Sequence, residues 1–461
     1  MKRILPILLL IISLATSLKA QWVSPGNGTT YTLPDLVDVT DGVVTNDGTV
    51  FTIHQDLTIS ANDVLKIDDQ VTRIYAADIL ITINGSMVST NTIDRVGLFG
   101  LNQTEHFSMR FENATDCNLN WLYFSDAGGI KVIESEVTFD NVKFFYFTRN
   151  YCNAVIDVFN CDPVIKNCYF QDNEGAAISS PANGQSSPQI LNNTFDANVN
   201  GFNSPQINLG PGSDDTIRII GNEIFDRWAQ YHTGGISIAD LMGVGTTKVL
   251  LKDNEIRDGR YGYNQQGANI SSVIIGNQFI DNNNEDNPMN GGSGISIYGS
   301  TTNNKAILRD NVITGNLWGI TAINLHDIDL GTEDDWGRNV IRDNMNGGSV
   351  YDLYNNSACN ITAVGNYWGT TIYDFIESQI YHQVDDPSLG LVTFYPYVGS
   401  EGMEESFIDI DIDLNNIDPS TTTVYTITGQ RVNYTESLKP GLYIAVIKQG
   451  SNTFSKKVLI K

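Results

Sequence analysis

The decapeptide LLKDNEIRDG at 250–259 returns as IIGNQFIDNN at 274–283 and as ILRDNVITGN at 307–316. Each copy has an aliphatic pair, a turn former, an Asn and then a large apolar residue two places on. Aligning the chain on that Asn gives Asn118, Asn141, Asn167, Asn193, Asn222, Asn254, Asn277, Asn311, Asn339 and Asn366, at gaps of 23 to 34 residues. From Asn167 onward the residue two places later is Tyr169, Phe195, Ile224, Ile256, Phe279, Ile313, Ile341 and Trp368. This is period-two strand patterning, interrupted at a fixed point by a residue that favours turns. A second motif lies between successive Asn signals: GGIKV at 128–132, GGISI at 234–238, SGISI at 293–297 and WGITA at 318–322.

Short strands in fixed order at such a period predict a solenoid. No 3.6-residue apolar pattern fills the period, so helical repeats are excluded. The expected fold is all-β: a right-handed parallel β-helix of about 10–13 coils, with like residues stacked about 4.8 Å apart. The repeated Asn belongs at an inward turn, where its amide can bond the Asn of the coils above and below. Such a ladder satisfies buried amides that would otherwise cost about 1–3 kcal/mol each. Alternating segments at 56–90 read as the first coils and an N-terminal cap. IYDFIESQIYHQ at 372–383 places Ile372, Phe375, Ile376 and Ile380 on one helical face, which predicts a helix covering the last coil.

The segments LTI…LKI…LITINGSM, the N-x-[IF] ladder and the NYWG…DDPSLGLVTFYP ending resemble the secreted β-helix proteins of the pectin-lyase-like superfamily, over most of 50–398. The resemblance implies the fold. It leaves function open, because that fold hosts lyases, hydrolases, esterases, adhesins and inert spikes. The combination of Asp-Asp pairs with a His-Gly motif that marks polygalacturonase-like hydrolases on this fold is absent.

The two ends speak for export. MKRILPILLLIISLATSLKA at 1–20 has a basic start, an apolar core and a small final residue, which reads as a secretory signal peptide. Residues 21–398 form the β-helix and 399–418 an acidic linker. Residues 419–461 carry short alternating strands and turns, a small antiparallel β-sandwich-like module. It resembles the C-terminal sorting domain of the type IX secretion system of Bacteroidetes-like bacteria, on Tyr425–Val432 (Y-x-I-x-G-x-x-V), Gly441, Leu442, Tyr443 and the basic end Lys456–Lys461. The resemblance implies an outer-membrane secretion machinery as partner, and a secreted or surface location. No later stretch reaches the length of a membrane span. Five cysteines follow the leader: Cys117, Cys152, Cys161, Cys168 and Cys359. Their odd number leaves at least one free thiol, and buried thiols fit Cys117 and Cys168 better than a disulfide.

The chain of 461 residues carries a formal charge of -26. Loss of Lys2, Arg3 and Lys19 with the leader takes this to about -29. Nucleic acid is excluded as a partner, since it demands a basic footprint. Direct docking of polyanionic glycans is disfavoured, unless cations bridge glycan and chain.

Candidate chemistry lies in loops after three successive ladder Asn. FDRWAQYHTGG offers Asp226, Arg227, Trp228, Tyr231 and His232; IRDGRYGYN offers Asp258, Arg260, Tyr261 and Tyr263; FIDNNNEDN offers Asp281, Glu285 and Asp286. Stacked in register, they would make a groove for a polysaccharide or surface glycan. Arg227, Trp228, Tyr231, Tyr261 and Tyr263 would contact sugar. In a lyase, Arg260 or His232 would be the base and Asp281, Glu285 and Asp286 could hold Ca2+. In a hydrolase, Asp226 and Asp258 would be the carboxylate pair. The competing reading makes the aspartates plain turn formers. Two functions follow: a non-catalytic glycan-binding, matrix-binding or structural surface protein, and a polysaccharide lyase or glycosidase.

Overall fold

The computed structural model describes residues 21–399, apart from 69–70, 94–95, 103, 200–203, 229–232, 244 and 286–290, and then 422–426, 431–432, 441–449 and 452–460. The expected leader at 1–20 and nearly all of the linker fall outside the described residues. The chain divides into two compact units between Tyr397 and Val398. The first is a parallel β-helix with three strands per coil. One coil, for example, runs Gln189–Leu191, Thr194–Asp196, Ser204–Leu209. Equivalent strands of successive coils pair in parallel. One sheet of 13 strands holds the middle strands, and only its first, Val44–Asn46, runs antiparallel.

The core is a set of stacks. Phe124, Phe144, Phe170 and Phe195 are register partners on consecutive coils, with ring centroids 5.7, 4.5 and 5.0 Å apart. The same column continues through Ile224, Ile256, Phe279, Ile313 and Ile341, all buried.

The Asn ladder is present from Asn193 to Asn366. Each Asn from Asn193 to Asn339 donates its backbone N–H and its amide Nδ2 to Oδ1 of the Asn one coil on, and Asn366 ends the series. Asn254, for instance, donates to Asn277 at 3.0 and 2.8 Å, and Nδ2 also donates to the carbonyl of Ile219 at 2.8 Å. The residue before each rung is left-handed, whether Asn192, Gly221, Asp253, Gly276, Asp310, Arg338 or Gly365. That conformation suits Gly, Asn and Asp, and it corrects the alignment upstream. Asn141 and Asn167 are left-handed, with φ of 55° each, so they take the turn position and not the rung. The rungs there are the buried Val142 and Cys168, whose N–H donates to Asn193 Oδ1 at 2.8 Å. Tyr169 accordingly faces outward and Phe170 takes its expected place in the core. Asn118 is exposed within a strand and is no rung.

A second ladder runs five places after the first. Asn282 donates through Nδ2 to Asn316 at 3.1 Å, Asn316 to Asn344 at 2.9 Å, and Asn344 to Asp352 at 2.8 Å. Earlier, Asn173 donates to Asn198 at 2.6 Å. The intervening coils have Arg227 and Gly259 at the rung, so the ladder is interrupted. Gln206 closes the gap by accepting from Asn198 Nδ2 at 2.7 Å.

Both ends differ from expectation. The N-terminal side carries a helix at Leu33–Val39, begun by a Thr32–Asp35 capping box that the alternation-based reading did not contain. The C-terminal helix is a single turn, Tyr373–Glu377. Ile376 and Ile380 are buried, but Ile372 and Phe375 are more than half exposed, because Ile380–Tyr381 leaves the helix and pairs as a strand with Leu353–Asn356. The second unit contains an antiparallel sheet of four strands, Thr422–Thr426, Arg431–Val432, Gly441–Gln449 and Asn452–Ile460. No helix of the described residues is long and apolar enough to cross a membrane.

Candidate functional site: a groove along the third strand of the coils

The strands that begin with the GGISI-type motif build the site. Their Ile residues point inward and the Ser or Thr between them points outward. In successive coils the outward partners are Asp157, Ser179, Asn208 and Ser237, and then Asn264, Ser296, Thr321 and Tyr354. They form the floor of a groove parallel to the helix axis. The floor is internally bonded: Ser179 Oγ donates to Asp157 Oδ1 at 2.8 Å and Asn264 Nδ2 to Ser237 Oγ at 3.1 Å. The motif glycine is required where these strands leave the second ladder. A Cβ at Gly235 would lie 2.4 Å from the carbonyl of Gly262, and one at Gly262 2.4 Å from that of Gly294.

One section has a volume of about 700 Å³ and is lined by residues between Ser204 and Asn356. Ser204, Pro205 and Asn208 line one end, Arg260 and Tyr261 the middle, and Trp318, Tyr351 and Tyr354 the other end. Tyr351 and Tyr354 meet edge to face at 6.1 Å, and Tyr354 packs on Tyr381 at 5.0 Å. Tyr261 lies over the preceding coil, where a Cβ on Gly234 would come within 2.3 Å of its ring. Burial holds the Tyr261 hydroxyl well above the usual phenol range, which disfavours it as a tyrosinate base. Arg260 is nearly buried and faces Glu285 at 3.5 Å. Further along, a smaller stretch is lined by Arg149, Asn153, Asp157 and Ser179. Burial raises the Asp157 carboxyl, and the Ser179 hydroxyl and the charge of Lys131 oppose that shift.

Of the expected site residues, Arg260 and Tyr261 line the groove. Tyr263 does not: it is wholly buried, and its hydroxyl donates to Gln265 at 3.1 Å. It is one of the inward positions of its strand, so it packs the core. Asp226 is 1% exposed and accepts the N–H of Trp228 at 2.9 Å. Asp258 is left-handed and bonded by Arg257 at 2.8 Å. Neither lines the groove, so the hydrolase pair is not assembled there. Arg227 is taken up by Asp172, at 2.6 Å, and by Asp196. The exposed Trp228 stacks on the Arg227 guanidinium at 4.8 Å, outside the groove lining. Asp281 is a left-handed turn residue and Glu285 is held against Arg260. Tyr231, His232 and Asp286 lie outside the described residues. Among the described residues no three His, Cys, Asp or Glu side chains gather as a metal site would require.

The sequence reading missed Asn208, Asn264, Ser296, Thr321, Trp318, Tyr351 and Tyr354. The signal was the polar residue between two Ile in the Gly-Ile-Ser-Ile repeat, which marks an outward floor position.

Residues 246–372, which include much of the groove, match the family described as "Protein of unknown function (DUF1565)". No curated protein matches the chain. Among solved structures, the periplasmic alginate epimerase AlgG is similar. One mutant form aligns over 80% of this chain and 84% of its own, with a TM-score of 0.50 and 12% identity. The unmutated form aligns over 79% and 83%, with a TM-score of 0.49 and 12% identity. At that identity the likeness is one of fold.

Proposed function

We propose that the protein binds an extended polysaccharide in this groove. The observation that carries the reading is a floor with one outward polar side chain per coil, ending in Tyr354 and flanked by Tyr261, Trp318 and Tyr351. Sugar hydroxyls both donate and accept, and so do Ser, Thr and Asn. Aromatic side chains offer large rigid contact area beside a polar tip. A repeat of about 4.8 Å per coil lets a linear polymer meet equivalent groups along its length. An alginate epimerase with the same fold is consistent with glycan as the ligand class. The leader and the C-terminal module support a secreted or outer-surface location, reached through the outer-membrane secretion machinery. Cell fractionation with and without residues 419–461 tests that location.

The second reading is a carbohydrate-active enzyme, favoured by the half-buried Asp157, whose raised carboxyl sits in the groove with Arg149. Incubation of the protein with neutral and acidic polysaccharides, with and without calcium, separates the two. Retention without new reducing ends or unsaturated uronates supports binding. Cleavage products move the assignment to the enzyme, and neither retention nor products removes the groove from consideration.

A further inference from the structure

We infer that the groove selects an uncharged glycan, an inference that rests on the glycan-binding reading above. Three features point the same way. The floor of the larger section is neutral: Asn208, Asn264, Ser296 and Thr321 carry amides and hydroxyls only. Among the described residues, Arg260 is the cation lining that section. Its side chain is 6% exposed and lies 3.5 Å from the Glu285 carboxylate, so its charge is already balanced inside the protein. A uronate carboxylate entering the section would lose water without gaining a cationic partner, which is the costly case for a buried charge.

Further along the same face one cation, Arg149, donates to Asn153 at 3.1 Å and has no carboxylate partner among the described residues, so the selection applies to the larger section; two others there are balanced. Arg110 is held by Glu112 through two bonds of 2.8 and 2.6 Å. Lys131 is the cross-strand partner of Asp157. The third feature is long-range. A chain of net charge -26 repels a polymer that carries a negative charge on every sugar, most strongly at low ionic strength. A neutral polymer meets none of these penalties, and its apolar ring faces match the Trp318 and Tyr354 surfaces.

The test is affinity electrophoresis of the full chain through gels containing neutral polymers (mannan, xyloglucan, arabinoxylan, mixed-linkage glucan) or polyuronates (alginate, polygalacturonate). Each is run at low salt and at about 0.5 M salt, where charge effects between exposed groups are largely screened. The expected result is retardation by at least one neutral polymer, equal at both salt levels and reduced at least about tenfold in Trp318→Ala, with no retardation by either polyuronate. Retardation by a polyuronate that Trp318→Ala abolishes would overturn the selection for uncharged glycan and leave the groove reading in place. Retardation by no polymer, or retardation unchanged in both Trp318→Ala and Asn264→Ala, would sink the groove reading and this inference together.

Discussion

Asn344 donates both its backbone N–H and its amide Nδ2 to one oxygen of Asp352, at 3.2 and 2.8 Å. The carboxylate thus ends the second ladder, in the place where an Asn of a further coil would stand. Its other oxygen is buried and has no hydrogen-bond partner among the described residues. Burial pushes the Asp352 carboxyl up to about 7, against the opposing bonds from Asn344. The protonated form is favoured in the folded state, so folding takes up a proton between pH about 4 and about 7, and stability falls as pH rises through that window. Thermal unfolding should show a Tm that declines from pH 4.5 to pH 7 and then levels. Asp352→Asn, which keeps the acceptor, should flatten the slope. An unchanged slope in that variant would assign the dependence elsewhere.

The two ladder classes should separate by mutation. Asn277 accepts two bonds from Asn254 and donates to Leu251 and Asn311. Asn277→Ala leaves several buried groups unpaired and should cost about 2–4 kcal/mol. The exposed Asn118→Ala should stay within about 0.5 kcal/mol. Denaturant titration of the two variants checks the assignment; equal effects would contradict the rung positions.

Glycan contact should follow the groove and not the exposed indole at Trp228. Tyr354→Ala should weaken retention on a bound polysaccharide by about 1–2 kcal/mol, or roughly tenfold. Trp228→Ala should leave retention unchanged. The reverse pattern would move the site to the Arg227 turn.

All five cysteines are free. Burial pushes the Cys117 and Cys152 thiols up to about 11 and that of Cys168 up to about 12. The thiolate is the reactive form. Alkylation of the native protein at pH 8 followed by mass spectrometry should therefore leave these three unmodified, whereas unfolding should expose all five. Rapid native labelling of Cys168 would contradict its place as a rung.

The sequence by itself determined the solenoid, its parallel coils and the first Asn ladder from Asn193 onward. These follow from a local pattern that each coil repeats, and neighbouring coils need only match themselves. Tertiary structure decided what a one-residue slip decides. Asn141 and Asn167 look like rungs but take the left-handed step before them, because Val142 and Cys168 face the core in those coils. The same limit applied to the site. Tyr261 and Tyr263 are two places apart in one stretch, yet the first lines the groove and the second fills the interior, because the chain enters its strand between them. The turn aspartates Asp258 and Asp281 were legible only as alternatives. Left-handed backbone and ion pairing with Arg257 separate Asp258 from the floor, which is made by residues 20 to 35 positions apart that meet only when the coils stack.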